Sequence, residues 1–591
     1  MSAELRTWLA SLEEALSSGD AKGASLLFAP ESYWRDMVAF TWNIATFEGP
    51  SAIEQMLAAT LGATAPRDWR LEGQPQENEG CLECWFSFQT AAGTGRGHVR
   101  LRDGKGFTLL TTLASLHEHP WRTGRQRPRG VDHGASKGKQ THTERRAAEA
   151  AALGRDAQPY CLIIGGGQGG MALAARLDAI GVPNLIVEKN AEAGDSWRNR
   201  YPSLCLHDPV WYDHMPYIPF PDGWPVFTPK DRMADWLEMY AKVMELNYWT
   251  KARCEHAAFD PREQRWVVKV NRDGETIALE PAHIVFATGM SGYPNVPELP
   301  GNEAFKGEQF HSSLYAGGAP FSGKRCVVLG SNTSAHDICA DLWEHGADVT
   351  MVQRSGTLVV QTDTVLEHVV GALYSENALE AGMDTETADY TATTWPHRLL
   401  ERRQVANCEA MRLKDEALHQ KLEKAGFILD FGPDKTGLVM KSFREGGGFY
   451  INVGASELIC DGEIKLRSGL EVERLTENAV VLADGSTLPA DVVIYATGYG
   501  SMSRFVGDIV GEETADRVGK CWGVGSGTRK DPGPWEGELR NMWKPTAQEN
   551  LWFQGGNIAQ SRHYSRFLAL QLKARMEGVP TPVYAAGRSA E

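Results

Sequence analysis

Apolar positions along the chain fall into distinct patterns. Up to residue 118, helical spacing at Leu5–Leu16 and Ser51–Leu61 flanks a mixed apolar run, Tyr33–Thr46. Strand-like runs follow at Leu82–Phe88, Arg96–Leu101 and Phe107–Leu116. Helices followed by a meander predict an α+β module, a curved sheet closed over by helices. His117–Lys139, rich in Pro, Gly and basic residues, reads as a linker, and Thr143–Leu153 as a short helix. From residue 158 the pattern changes. Short, wholly apolar runs alternate with helical spacing: Cys161–Ile164, Met171–Ile180 and Leu185–Val187, then Lys324–Leu329, a helix through His345, and Asp348–Val352. Continuous apolar strands separated by helices predict parallel sheets buried on both faces. The fold class is therefore α/β, with two Rossmann-like dinucleotide-binding domains behind an α+β domain. The predicted boundaries are 1–118 for the first module and 119–157 for the linker. A first dinucleotide domain spans 158–304 and resumes at 486–591, around a second at 305–485. Helical stretches in Thr362–Gly426, including Pro396–Lys414, interrupt the second unit and are placed to cover a substrate.

The loops give these units their chemistry. Cys161–Ile164 runs into Gly165-Gly166-Gly167-Gln168-Gly169-Gly170, and the following strand ends at Glu188-Lys189. Strand, glycine turn, helix, strand and acid is the order of a dinucleotide site. Gly165 permits the sharp turn, Gly167 lets the backbone approach a pyrophosphate, and Gly170 lets helix and strand pack closely. The helix N-terminus offers N–H groups and the positive end of its dipole. Glu188 accepts from a ribose diol and repels a 2′-phosphate, which points to FAD or NAD.

A second turn, Gly330-Ser331-Asn332-Thr333-Ser334-Ala335, follows Lys324–Leu329, and its next strand leads to Gln353-Arg354. A guanidinium there can hold a 2′-phosphate bidentately, which favours NADPH. Asn332 replaces the middle glycine. Two buried strands end in Ala-Thr-Gly, at Thr288-Gly289 and Thr497-Gly498, small turns against which a flavin can pack.

Bulk properties exclude several classes. The formal charge of −16 argues against nucleic acid and acidic membranes as partners. No apolar run approaches a membrane span, and the acid-containing N-terminus is unlike a secretory signal. The ten cysteines, scattered through apolar segments, suit a reducing compartment. A cytoplasmic protein is expected. Cys81 and Cys84 form an isolated CxxC with no partner pair, so no metal site is expected.

Between the two turns stands Phe305-Lys306-Gly307-Glu308-Gln309-Phe310-His311-Ser312-Ser313-Leu314-Tyr315, an FxGxxxHxxxY pattern. With GxGxxG, Gly194-Asp195-Ser196-Trp197, Phe227-Thr228-Pro229-Lys230 and the two Ala-Thr-Gly strands, it resembles the flavin-containing monooxygenase family over about residues 158–575. Baeyer–Villiger monooxygenases carry Trp where Tyr315 stands. The extra N-terminal module, similar in pattern to the NTF2-like (SnoaL-like) fold, and Leu206–His214 look like the type II subgroup. That subgroup is associated with Baeyer–Villiger oxidation of ketones and a looser choice between NADPH and NADH.

The resemblance implies FAD and NADPH as cofactors, with NADH as a further donor. It implies O₂ and a small ketone, amine or sulfide as substrates, and a C4a-(hydro)peroxyflavin as oxygen carrier. It places Ser196, Trp197, Arg198 and Leu206 among the flavin contacts. His207 and Asp208 fall where relatives keep an Asn or an Asp beside the flavin, and either is the candidate proton-handling residue. His311 reads as a linker residue between the nucleotide domains. The Lys-Arg-Pro run with which typical Baeyer–Villiger enzymes place an arginine is missing, so N- or S-oxygenation stays open beside ketone oxidation. A disulfide reductase would need a cysteine pair soon after the first turn, where residues 190–215 hold only Cys205. A non-catalytic flavin-binding role is the remaining alternative, and a homodimer is expected.

Overall fold

In the computed structural model, residues 2–131 and 133–585 are described. The first dinucleotide domain is built on a parallel sheet ordered Leu551–Phe553, His283–Phe286, Cys161–Ile164, Asn184–Val187 and Tyr248–Trp249. The second sheet, also parallel, runs Glu308–His311, Val492–Tyr495, Arg325–Leu329, Asp348–Gln353 and Lys465–Ser468. Every residue of Cys161–Ile164, His283–Phe286 and Val492–Tyr495 is buried, which is why these strands read as continuous apolar runs. Because Val492–Tyr495 pairs within the second sheet, the chain returns to the first domain after Tyr495, not at 486 as the sequence predicts. The helix Ile558–Met576, capped by Asn557 with Gln560, packs on the helix Gln168–Ile180.

The N-terminal module is one six-stranded sheet, ordered Ile44–Glu48, Phe28–Met37, Lys105–Leu116, Gly93–Arg102, Cys81–Gln89 and Arg67–Asn78. The last of these strands escapes the sequence pattern. It is an edge strand with solvent over most positions, so it carries no apolar alternation. Aromatic rings form part of the core packed against this sheet. Trp69 stacks on Phe88 at 4.7 Å and Phe86 at 5.1 Å, and Trp34 meets Phe40 at 5.1 Å.

The module is fastened to both halves of the rest. Buried Arg35 donates from Nε and Nη2 to the Glu538 carboxylate (2.6 and 2.8 Å) and from Nη1 to the Thr393 carbonyl (2.8 Å). Thr46 adds a hydrogen bond to Glu538 at 2.8 Å. The C-terminal Tyr584 N–H donates to the Thr41 carbonyl at 2.9 Å. Burial opposes ionisation of Glu538, but the charges of Arg35 and His397 and the hydrogen bonds from Arg35 and Thr46 hold its carboxyl at about 2.

Arg35→Met is expected to destabilise the protein by about 3–5 kcal/mol, because it strands a buried carboxylate. The double change with Glu538→Met should recover most of the loss in thermal unfolding; full additivity would show that the two do not act as a pair. With its folded value depressed, Glu538 stabilises above the ordinary carboxylate range, and that contribution is lost as pH falls towards about 2. No helix among the described residues is long and apolar enough to cross a membrane.

Candidate active site

Three glycines of the first turn, Gly165, Gly167 and Gly170, differ in what a side chain there would meet. Gly165 has φ of +110°, and a Cβ there would lie 2.5 Å from the Ala287 carbonyl oxygen. At Gly170 a Cβ would meet the Gly165 carbonyl oxygen at 2.1 Å, so helix and strand meet backbone to backbone. A Cβ on Gly167 would touch only the Ser196 side chain, no closer than 3.5 Å. That open space lies at the N-cap of the helix Gln168–Ile180, which has no side-chain cap. Its first-turn N–H groups are available to a phosphate.

Around this opening, Glu188 is buried at the strand end and accepts the Gly166 and Asn190 N–H groups, each at 2.8 Å. Each carboxylate oxygen keeps a lone pair for a ribose hydroxyl. Trp197 donates from Nε1 to Gln168 Oε1 at 3.1 Å, fixing the strip Asp195–Arg198 against the turn. Two polar atoms here, Thr288 Oγ1 and Gln554 Oε1, are buried without a hydrogen-bond partner among the described residues. The Gln554 amide also donates to the Gly169 carbonyl at 3.2 Å. An open glycine, an uncapped helix and orphaned polar atoms are what a bound dinucleotide would complete. Lys189 is exposed, and Arg198 is taken up by Asp195, Asp235 and Glu238 at 2.6, 3.1 and 3.1 Å.

The second turn is built alike. Gly330 has φ of +136°, with a Cβ position 2.3 Å from the Ala496 carbonyl oxygen. Asn332 turns its side chain away from the helix end: its Oδ1 accepts from Thr357 Oγ1 at 3.1 Å, and Thr357 also meets Ser331 Oγ at 2.8 Å. Replacing the middle glycine thus leaves the N-terminus of Thr333–Glu344 without a side-chain cap. Thr333 donates to the Phe449 carbonyl at 3.0 Å, and Ser334 is half-buried in the first turn. At the strand end, Gln353 is wholly buried and bonds Ile428 in both directions, whereas the Arg354 side chain is 59% exposed, with Glu471 4.0 Å away.

The fingerprint between the turns is mostly scaffold. Phe305 is buried in the core, and Gly307 lets the strand pass the Asp491 carbonyl, 2.3 Å from its would-be Cβ. Tyr315 donates to Asp341 at 2.6 Å. His311 joins the domains: its Nε2–H donates to the Gly498 carbonyl at 3.0 Å, and burial lowers its pKa. The adjoining crossings pair with each other, since the Asn295 N–H donates to the same Gly498 carbonyl at 3.0 Å and Thr497 bonds the Asn295 carbonyl.

The segment from Tyr201 to His214 spans the space between the two turns. At one end Tyr201 donates to Asp337, on the helix after the second turn, at 2.7 Å, and the His207 ring lies 6.4 Å from Phe449. Leu206 is buried and donates its N–H to the Thr228 carbonyl at 2.9 Å. At the other end the Tyr212 hydroxyl accepts from Asn557, beside the Gln554–Gly556 loop, at 3.1 Å. His207 and Asp208 therefore stand where the two nucleotide units meet.

Asp208 and Asp213 accept no hydrogen bond from any described residue. Burial raises the Asp208 carboxyl, with His207 opposing. Burial and then the charge of Asp208 push Asp213 well above the carboxylate range. Arg562 is no substitute for a substrate-binding arginine. It is spent on Asp389, at 2.8 and 2.6 Å, and on the carbonyls of Tyr212 and His214. Arg200 lies 5.7 Å from the Tyr499 ring, and its Nε has no hydrogen-bond partner among the described residues. Sequence reasoning passed over Arg200, Asp213 and Gln554. Gln554 in the Gly-rich Phe553–Gly556 stretch was the one legible hint.

A family model described as pyridine nucleotide-disulphide oxidoreductase matches residues 162–394. Indole-3-pyruvate monooxygenase YUCCA1 of Oryza sativa subsp. japonica is 31% identical over 347 residues, 58% of this chain and 77% of that protein. The probable indole-3-pyruvate monooxygenase YUCCA3 of Arabidopsis thaliana is 30% identical over 352 residues, 58% and 73%. Among solved structures, OTEMO in complex with FAD and NADP superposes with a TM-score of 0.50 at 18% identity, covering 71% of this chain and 87% of that one. The flavin-containing monooxygenase from Stenotrophomonas maltophilia gives 0.47 at 18%, covering 71% and 99%. With two glycine turns flanking the FxGxxxHxxxY strand, this is a two-dinucleotide oxidoreductase fold. The chain belongs to the class B flavin monooxygenases and is an enzyme of that type.

Proposed function

We propose that FAD occupies the first turn and NADPH the second, and that the enzyme transfers one atom of O₂ to a small carbonyl compound, most simply as a Baeyer–Villiger oxidation of a ketone. The observation that carries this is the segment from Tyr201 to His214, which holds unpartnered carboxyl groups where both nucleotide units meet. The relatives named above are indole-3-pyruvate enzymes, and indole-3-pyruvate is itself a carbonyl compound. Reduced flavin, when bound, supplies the activation of O₂.

The protein's own work is to bind, orient and hold protons. Gly167 and the uncapped helix after it hold the pyrophosphate, while Glu188 fixes the ribose. Thr288 and Gln554 offer their unpaired oxygens to the flavin's polar edge. Asp208, with His207 beside it, is the proton-handling group at the oxygen-transfer point, and its raised carboxyl suits proton exchange nearer neutrality than an ordinary aspartate. The N-terminal module, NTF2-like in our reading, braces the site through Arg35 and Glu538.

Product analysis with a cyclic ketone and with a thioether tests the substrate class. Lactone from the ketone is expected; sulfoxide without any lactone would assign the enzyme to heteroatom oxygenation instead. Arg354→Ala should lower kcat/KM for NADPH about tenfold to a hundredfold, the worth of a charge-assisted contact, and leave NADH little changed. Equal losses with both donors would show that Arg354 does not hold the phosphate.

A further inference from the structure

The segment from Tyr201 to His214, which carries His207 and Asp208, contains no helix and only an isolated bridge at Cys205. Its position therefore depends on side chains from other elements. Arg562, on the helix Ile558–Met576, grips it on either side of Asp213: Nη1 donates to the Tyr212 and His214 carbonyls at 2.7 and 2.6 Å. The rest of the guanidinium meets Asp389 in a fork, from Nε at 2.8 Å and from Nη2 at 2.6 Å. Both side chains are 6% exposed. Burial opposes ionisation of Asp389, but the charge and hydrogen bonds of Arg562 hold its carboxyl below its ordinary value. Tyr374 donates to the same carboxylate at 2.9 Å, and its ring meets that of Tyr212 edge-on at 4.7 Å.

Asp389 lies on the helix Thr385–Thr393, which is itself pinned. One turn after Arg562, Arg566 donates to Tyr390 and Glu386 of that helix at 2.5 and 2.9 Å. Its C-terminal end is held from the N-terminal module. The last carbonyls of a helix lack partners within it and carry the negative end of its dipole. Arg35 donates to the Thr393 carbonyl at 2.8 Å, and buried Arg100 to the Thr394 carbonyl and hydroxyl at 3.1 and 2.8 Å. Two cations of the six-stranded sheet thus close the helix whose Asp389 orients the arginine on the segment of Asp208.

We propose that Arg562 and Asp389 are positioning residues for oxygen transfer, and that the N-terminal module, through Arg100, keeps them in register with Asp208. The inference rests on the assignment of Asp208 as the proton-handling group. An ångström of displacement at that carboxyl is enough to cost about a hundredfold in rate. NADPH is then consumed without oxygenated product.

Arg562→Lys tests it, because it keeps the charge facing Asp389 but cannot make the same four bonds with three donors on one nitrogen. In the FAD-loaded protein the readout is hydrogen exchange at the Val210, Tyr212 and Asp213 amides, which donate to the Val226, Pro209 and Val210 carbonyls. Exchange there is expected to quicken at least about tenfold, the worth of one charge-assisted bond, while the turn Gly165–Gly170 exchanges as in the wild type. Oxygenated product per NADPH consumed should fall about tenfold to a hundredfold. Arg100→Lys keeps a cation beside Glu83 but loosens Thr394, and should move both readouts the same way by about threefold or more. Unchanged exchange at these amides in Arg562→Lys, or product per NADPH at the wild-type level, would overturn the proposal. Should that variant not fold, unchanged exchange in Arg100→Lys overturns it. Wild-type enzyme that forms no oxygenated product from any ketone or thioether would instead overturn the function assigned above, and with it the role in oxygen transfer.

Discussion

Asp208→Asn is expected to cut oxygenated product formation about 10²–10⁴-fold, the range for loss of a positioned acid–base group, while FAD content and reduction by NADPH stay nearly unchanged. Asp208 has no hydrogen-bond partner among the described residues, so the amide costs the fold little, yet it can no longer exchange a proton. Because burial raises the wild-type carboxyl, activity should fall on the acid side at a pH above the ordinary aspartate range. That limb should disappear in the variant. NADPH oxidation should continue and end in hydrogen peroxide. A parallel fall in flavin content, reduction and product would make Asp208 a structural residue. His207→Gln separates the two neighbours: a smaller loss with the acid limb retained is expected if Asp208 carries the proton.

Two alanine substitutions in the first glycine turn should part company. Gly170→Ala drives a methyl group to 2.1 Å from the Gly165 carbonyl oxygen, and backbone cannot step aside as a flexible side chain can. The helix Gln168–Ile180 must shift from its strand, with a stability loss of about 1–3 kcal/mol for an overpacked contact and loss of retained flavin. Gly167→Ala meets nothing but Ser196 at 3.5 Å, so the apoprotein should melt as wild type does. Its methyl group instead occupies the space a pyrophosphate needs. FAD affinity should fall about tenfold to a hundredfold, the same 1–3 kcal/mol now charged to binding alone. Apoprotein melting and FAD titration read the two effects separately. A Gly167→Ala protein that melts early but retains FAD would refute the assignment of that space.

What could be read from the chain before the fold was local chemistry. Gly165, Gly167, Gly170, Glu188 and Arg354 stand at offsets that a nucleotide unit imposes over a few dozen residues, and at Gly165 and Gly170 the backbone contacts explain why only glycine fits. What stayed hidden depends on contacts far apart in sequence or on the absence of a pattern. Arg35 and Glu538 are 503 residues apart and look like ordinary surface charges until the fold buries both. The strand Arg67–Asn78 is polar because it is an edge. The return from the second domain was misplaced because strand Val492–Tyr495 is equally apolar in either sheet, and only its partners Glu308–His311 and Arg325–Leu329 decide.

The most direct test of the central claim is isotope incorporation. Purified FAD-loaded enzyme, supplied with NADPH, a cyclic ketone and ¹⁸O₂, should give lactone carrying a single heavy oxygen, with NADPH consumed in step with product. Lactone without the label, or NADPH consumption that ends wholly in hydrogen peroxide across ketones, amines and sulfides, would contradict the assignment as a monooxygenase.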